Sequence, residues 1–496
     1  MGEMRFLVPD QEQFPPEALN WAFLDGVDGV PWRSRFRWEG NELVVELDVD
    51  EAGSFHLPWN VIEKGPFTLQ TASLVQRDTR YLLPLELARG TLNRLRNFVA
   101  EWQLAGYPLS SDITEQVKQA TRFFIQSATQ QSDVTLSTQE AYRAIKHSTD
   151  GIQHLTQLFA QRSLTQRLEK NARLPTMLAG TLPYQGLSEP LQQTFSATFN
   201  SAAVGINWRL LEPNPGKFEW DELDRQIEWC HQAGLRVCVG PLIQLDRQHL
   251  PDWIYLWEDS YSELQSNAVR MVDAVVRRYR DRVQIWHCAS RLNLADELSL
   301  DEQERLMLAV AILRTIHAVD TSSPVVISFD RPWGEYLAHE RIDLSPLHFA
   351  DELVRAETGV RGLGMEMNLG FSPGCTPFRD LLEINRQIDR WAALGLPLLV
   401  SLTIPGIKDA ANHLAGDAST PDSQSNVWCP TLEFQQQMVE QIFPLLLAKP
   451  SIHGVIWKQL IDQSDGELPG AGLYLQDHQE KPAVTAIQAI RSKYLR

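Results

Sequence analysis

Residues 282–291 have the sequence Arg-Val-Gln-Ile-Trp-His-Cys-Ala-Ser-Arg, a short apolar strand that ends in the polar residues Ser290 and Arg291. The same pattern, a short apolar strand followed by a longer amphipathic helix, recurs through the second part of the chain. The predicted strands are 176–180, 202–207, 236–243, 283–289, 325–329, 362–369, 398–404 and 454–457. Continuous apolar strands separated by helices are typical of a parallel sheet that is covered on both faces.

Eight such units predict an α/β fold, a (β/α)8 TIM barrel over residues 171–496. The alternative is an open doubly wound sheet, which normally has a Gly-rich nucleotide-binding loop after its first strand. Residues 179–183, Ala-Gly-Thr-Leu-Pro, are not such a loop. In a barrel, all polar residues at the carboxyl ends of the strands open onto one face, here called the mouth.

Two further segments precede the barrel. Residues 1–85 contain alternating patterns such as Leu43, Val45 and Leu47, which predict a small β-sandwich-like module. Residues 86–170 change to a helical period and predict a helical connector, with separate helices at 138–148 and 151–162 among its elements.

The composition limits the possible partners. The 496 residues are 43% hydrophobic and carry a formal net charge of −18, which argues against binding nucleic acid or an anionic membrane. No secretory signal or transmembrane run is visible, so we expect a cytoplasmic location. Five dispersed cysteines are expected to be reduced thiols. No phosphate loop or metal-ligand spacing is found, so no cofactor or metal is expected.

Several motifs follow one another along the barrel segment in a defined order: Gly216-Lys217-Phe218-Glu219-Trp220, Leu250-Pro251-Asp252-Trp253, Val283-Gln284-Ile285-Trp286 and Gly454-Val455-Ile456-Trp457. In order and spacing they resemble family 10 glycoside hydrolases, the xylanase family of a clan of retaining glycosidases. The resemblance covers about residues 175–496. It implies a carbohydrate substrate or ligand, either an oligosaccharide or a polysaccharide.

The same resemblance places the catalytic positions. Retaining hydrolysis needs an acid and a nucleophilic carboxylate about 5–5.5 Å apart. In the family the acid follows an Asn at the end of the fourth strand, and the nucleophile ends the seventh strand. The matching positions here are Ser290 for the Asn, Arg291 for the acid and Leu402 for the nucleophile. A guanidinium stays protonated and leucine has no lone pair, so two-carboxylate hydrolysis is not supported at these positions.

Three carboxylates follow other barrel strands and are substitute candidates: Asp246, Asp330 and Glu366. The alternative for each is an ion pair or a loop cap, such as Asp330 with Arg331 or Glu366 with Arg291. Aromatic rings and amides near strand ends are candidate sugar-binding groups, since a flat ring offers a face to a sugar. These are Trp208, Trp286, Trp333 and Trp457, with Asn207 and Asn368 at sugar-binding positions of the resembled family.

Two hypotheses follow. The first is an atypical glycoside hydrolase that binds carbohydrate and cleaves it through relocated carboxylates. The second is a non-catalytic carbohydrate-binding or scaffold protein built on the same barrel. A fold of this kind supports many functions, so the site has to decide between them.

Overall fold

The computed structural model describes residues 2–11, 14, 18–294, 297–371, 375–407, 429–463 and 468–496. The N-terminal module is formed by two four-stranded sheets. One has the order β4-β5-β1-β8 and the other the order β3-β2-β6-β7. Their strands are β1 (Gly2–Leu7), β2 (Phe23–Asp25), β3 (Pro31–Trp32), β4 (Ser34–Glu39), β5 (Glu42–Leu47), β6 (Ser54–Val61), β7 (Gly65–Gln70) and β8 (Tyr81–Leu82). Their apolar residues, Phe6 and Phe55 among them, share one buried core.

Three helices follow, at Leu83–Leu104, Ser111–Thr129 and Val134–Lys170. The prediction of separate helices at 138–148 and 151–162 was wrong, because one 37-residue helix spans both. Gly151, the first residue of the second predicted helix, lies where the long helix crosses the helix Leu83–Leu104. A Cβ at this position would come within 3.0 Å of the Leu95 side chain. The glycine therefore allows close packing of two helices and does not end one.

The second part of the chain is a closed barrel of parallel strands, which confirms the predicted fold. The strands are β9 (Met177–Leu182), β10 (Ser201–Val204), β11 (Arg236–Val239), β12 (Ile243–Gln244), β13 (Ile285–Ser290), β14 (Val325–Asp330), β15 (Gly362–Asn368), β16 (Leu398–Thr403) and β17 (Ile452–Trp457). Pairing of Cys238 with Ile285 closes the circle between the third and fourth barrel strands.

The third barrel strand is divided into β11 and β12, where one continuous strand was predicted. Pro241 interrupts it, because proline has no N–H to donate to the neighbouring strand. Gly240 passes close to β13, and a Cβ there would lie 2.0 Å from the His287 carbonyl oxygen. The chain rejoins the sheet when the Leu242 N–H donates to that same oxygen at 2.9 Å.

Helices surround the barrel. They lie at Glu189–Thr198, Trp208–Leu211, Asp221–Gln232, Tyr261–Tyr279, Glu302–Val319, Pro346–Arg355, Leu381–Ala392, Leu432–Ala448 and Pro482–Tyr494, with 3-10 turns at Asp252–Trp257 and Glu335–Ala338. A further 3-10 turn, Ala18–Asn20, belongs to the N-terminal module. Alternate strand residues face these helices in the main core. The others fill the barrel interior, in a layer that includes Met177, Val326, Leu399 and Ile456. The residues two positions further along a strand point to the same inner face and reach the mouth, as Ser401 does after Leu399.

The helical segment is attached to the barrel by a buried ion pair. Arg94 contacts both carboxylate oxygens of Asp380, at 2.6 and 2.9 Å, and Glu383 at 3.4 Å. The N-terminal module adds a backbone bond, in which Thr68 N–H donates to the Phe378 carbonyl at 2.8 Å. Both contacts meet the barrel beside its sixth strand. In the part of the chain that the structure describes, no helix combines the length and apolar character needed to cross a bilayer.

Candidate carbohydrate-binding site

A cavity of about 290 Å³ opens at the mouth, above the inner layer of the barrel. Most of its wall comes from the carboxyl ends of β9, β10, β15, β16 and β17 and from the loops that follow β9, β10 and β17. Its polar lining includes Asn207, Gln244, His249, His287, Glu366, Ser401, Lys458 and Gln459. Such a mixture of amide, imidazole, hydroxyl and charged groups suits a ligand that is rich in hydroxyl groups.

Glu366 is a central charged group of this cavity. It lies on β15 and is 2% exposed. One carboxylate oxygen accepts a short hydrogen bond from the Ser290 hydroxyl of β13. The other lies 2.7 Å from Nζ of Lys458, which follows β17. Burial alone would raise the pKa of Glu366, but the charge and hydrogen bond of Lys458, together with Ser290, hold that pKa below its usual value.

Arg291 joins two carboxylates on the other side of the mouth. Its guanidinium lies 3.4 Å from Oδ2 of Asp330 and 3.6 Å from Oδ2 of Asp246. Its backbone has a φ of 64°, a left-handed conformation that is uncommon for residues other than glycine. Asp246 also accepts from His249 Nδ1 at 2.7 Å. Although burial opposes it, these partners lower the pKa of Asp246 to about 2.

Asp330 lies at the end of β14, where it pairs in register with Glu366. It accepts from the Arg331 backbone N–H at 2.8 Å and from Asn368 Nδ2 at 3.2 Å. Burial raises the pKa of Asp330, and the negative charge of Glu366 raises it further. The Thr403 hydroxyl in turn donates to Oδ1 of the Asn368 side chain at 2.7 Å. Asn368 therefore orients a carboxylate and does not line the cavity.

The ion-pair partners differ in part from those expected. Glu366 is paired with Lys458, a residue that the sequence did not single out. Arg291, which was expected to face Glu366, contacts Asp246 and Asp330. Of the three substitute carboxylates, Glu366 lines the cavity, whereas Asp246 and Asp330 are absent from its described lining.

Leu402 faces away from the mouth. It is fully buried in the core between strands and helices. Its neighbour Ser401 lines the cavity and pairs in register with Glu366. Because successive side chains of a strand point to opposite faces, matching by sequence alone placed the nucleophile position on the outer face.

The four predicted tryptophans are buried. Trp286 and Trp457 are 0% exposed and Trp208 is 2% exposed. Trp333, at 7%, donates its indole N–H to Glu383 at 3.1 Å. None of the four is in the described lining of the cavity. In this structure their rings pack inside the protein and present no open face to a sugar.

Asn207 does line the cavity, and its side chain is already engaged. Its Oδ1 accepts from the Leu210 backbone N–H at 3.2 Å and caps the helix Trp208–Leu211. Its Nδ2 donates to the Gln248 carbonyl at 3.2 Å. The side chain thus joins the loops that follow the second and third barrel strands.

Tyr184, His287 and Lys458 are among the cavity residues that were not predicted as ligand-binding. His287 is 4% exposed, and its Nε2 has no hydrogen-bond partner among the described residues. Burial lowers the pKa of His287 to about 4. Their positions in the sequence could have identified two of them, since Lys458 directly follows the eighth barrel strand and Tyr184 lies just beyond the first, where side chains reach the mouth. Among the residues with described positions, no cluster of three or more His, Cys, Asp or Glu is arranged to hold a metal.

Comparison with curated protein sequences gave no match. Solved structures give several. Xylanase 10B from Thermotoga maritima has 16% identity and a TM-score of 0.49, covering 67% of this chain and 98% of that one. Xylanase 10B from Thermotoga petrophila RKU-1, in complex with xylobiose, has 16% identity and a TM-score of 0.47, covering 66% and 96%. GH10 from Paenibacillus barcinonensis has 16% identity and a TM-score of 0.48, covering 66% and 98%.

The family comparison concerns the first half of the barrel, from the residue before β9 to the last residue of β13. Residues 176–290 of this chain match the family model of glycosyl hydrolase family 10.

Proposed function

We propose that the barrel binds a short oligosaccharide in the mouth cavity and does not hydrolyse it by the two-carboxylate retaining reaction. The family match of residues 176–290 supports a carbohydrate as the ligand class. Xylobiose, the sugar bound in the Thermotoga petrophila xylanase structure, is the natural first ligand to test.

One observation carries this proposal. Of the described residues that line the cavity, Glu366 is the single carboxylate. Retaining hydrolysis needs two carboxyl groups on opposite sides of the scissile bond, one to protonate the leaving oxygen and one to attack carbon. A lone carboxylate that is held by Lys458 at 2.7 Å can accept hydrogen bonds from sugar hydroxyls. It lacks the partner that cleavage requires.

The two positions that sequence matching assigned to the acid and the nucleophile, Arg291 and Leu402, supply no second carboxylate. Arg291 is engaged with Asp246 and Asp330 and has no proton to give at physiological pH. Leu402 has no nucleophilic atom, and its side chain is in the outer core. The cavity thus supports recognition of hydroxyl groups better than bond cleavage.

A second candidate is hydrolysis through Glu366 and Asp330. These carboxylates are register partners on adjacent strands. The pKa of Glu366 is lowered and that of Asp330 is raised, which is the division of roles expected for a nucleophile and an acid. The position of Asp330 outside the described cavity lining makes this the weaker candidate.

Calorimetric titration with xylobiose, xylotriose and a panel of other neutral oligosaccharides tests binding, and a reducing-sugar assay on the same panel tests cleavage. We expect binding heat with at least one ligand and no sugar release. Sugar release that is abolished by both Glu366→Gln and Asp330→Asn would favour the second candidate. Absence of heat with every oligosaccharide would reject both functions.

A further inference from the structure

Tyr184 is the one Tyr, Phe or Trp among the described residues that line the mouth cavity. It follows β9 on the first loop of the barrel, and 41% of its surface is exposed. The other aromatic residues that were expected to bind a sugar are buried. Within the described lining, Tyr184 is therefore the large aromatic ring with an accessible surface.

The backbone beneath this ring is held firmly. The side-chain amide of Gln226 donates to the carbonyls of Pro183 and Tyr184, at 3.0 and 2.7 Å. Arg225 donates to the Gln185 carbonyl at 2.6 Å. A turn in which Gly186 N–H donates to Pro183 completes the loop. A fixed backbone with an exposed ring loses little entropy when a ligand stacks on it.

Tyr184 also lies between two depressions. One is the mouth cavity, and the other is a shallow depression on the outer side of the ring, lined by Glu219, Glu222 and Gln226 among others. Gly205, Ile206 and Asn207 line both depressions together with Tyr184. The two depressions therefore adjoin at the tyrosine ring, and the line from Glu366 and Lys458 past this ring to the helix Asp221–Gln232 is here called the path.

The charges along this path favour a neutral ligand. At the inner end the negative charge of Glu366 is compensated by the positive charge of Lys458 in an ion pair. The outer end has two carboxylates, of which Glu222 is paired with Arg225 at 2.7 Å. An anionic sugar such as a uronate would meet like charge at the outer end without a free cation in the described lining.

We propose that Tyr184 is a stacking platform for the second sugar unit of a neutral oligosaccharide whose first unit lies beside Glu366 and Lys458. The inference rests on the proposed function and adds a chain-length requirement to it. The apolar face of a pyranose packs on the phenol ring, while its hydroxyls reach the polar groups around it. A monosaccharide in the inner cavity does not use the ring.

Calorimetric titration with xylose, xylobiose and xylotriose tests this platform. Tyr184→Ala is expected to weaken xylotriose binding about tenfold and to leave xylose binding unchanged. Tyr184→Phe keeps the ring and is expected to stay within about twofold of the original protein. Trp38→Ala is the matched control, because Trp38 is 39% exposed on the distant N-terminal sheet.

A second variant blocks the path without touching the ring. A Cβ at Gly205 would meet nothing within 4 Å, so Gly205→Leu is expected to fold and to obstruct the space between the two depressions. It should abolish xylotriose binding. If the original protein binds xylotriose and Tyr184→Ala binds it equally well, the platform is rejected and the proposed function stands. If the original protein binds none of these sugars and no member of the wider panel of neutral oligosaccharides, both are rejected.

Discussion

Lys458 and Glu366 are 92 positions apart in the chain, yet their charged groups meet 2.7 Å apart in the mouth of the barrel. The strand between theirs, β16, contributes Ser401 to the same cavity. This ion pair gives the mouth its charge balance.

Replacing Lys458 should destabilise the protein, because the buried Glu366 carboxylate loses the cation that compensates its charge. We expect Lys458→Met to lower the free energy of unfolding by about 3 kcal/mol near neutral pH, because it leaves a buried carboxylate without its partner. The double variant Lys458→Met/Glu366→Gln should regain most of this loss. Urea denaturation measures each difference. Lys217→Met, at an exposed lysine, is the control. A Lys458→Met protein as stable as the original would contradict this account of the pair.

His287 should make stability depend on pH. Burial lowers its pKa to about 4, whereas an unfolded histidine has a pKa of about 6.5. The unfolded chain therefore takes up the proton first as the pH falls. The free energy of unfolding should decrease between about pH 6.5 and about pH 4, by up to about 3 kcal/mol.

The variant His287→Gln should flatten this part of the stability curve, measured by urea denaturation at a series of pH values. His453→Gln is the matched control, because His453 is exposed at the start of β17. Equal slopes in the His287→Gln variant and the original protein would show that another group causes the pH dependence.

Leu402→Glu tests which face of β16 is available to the mouth. Leu402 is fully buried among strand and helix side chains, so a carboxylate there has no partner and should cost at least about 4 kcal/mol or prevent folding. Ser401→Glu, one residue earlier, places the charge in the cavity and should be tolerated better. Thermal unfolding followed by circular dichroism compares them. A Leu402→Glu protein that melts at the original temperature would mean that this side chain reaches the mouth.

Arg94 should hold the helical segment on the barrel. Its guanidinium is 5% exposed and binds Asp380 and Glu383. We expect Arg94→Met to reduce the free energy of unfolding by about 3–5 kcal/mol, because two carboxylates lose their shared cation. Arg96→Met, at an exposed position of the same helix, should change it by less than about 0.5 kcal/mol. Similar decreases in the free energy of unfolding for the two variants in urea denaturation would contradict a stabilising role for the ion pairs of Arg94.

The eight barrel strands could be predicted because a continuous apolar run between amphipathic helices is a local property of the chain. All eight predicted strands overlap observed ones. The prediction failed where packing decided the outcome. Two helices were predicted at 138–148 and 151–162, but one helix, Val134–Lys170, spans both, and Gly151 within it packs against Leu95 of another helix.

The sequence by itself determined which carboxylates follow barrel strands and which residues, Arg291 and Leu402, the family resemblance assigns to the catalytic positions. Only the tertiary structure decided which of these side chains share a cavity. A shift of one residue turns a strand side chain from the mouth to the helices, as Leu402 and Ser401 demonstrate. The burial of a side chain depends on all the elements that pack around it. The four candidate tryptophans are buried, whereas Tyr184 is accessible. Ion pairs such as Lys458 with Glu366 join residues far apart in sequence, so local pattern carries no signal for them.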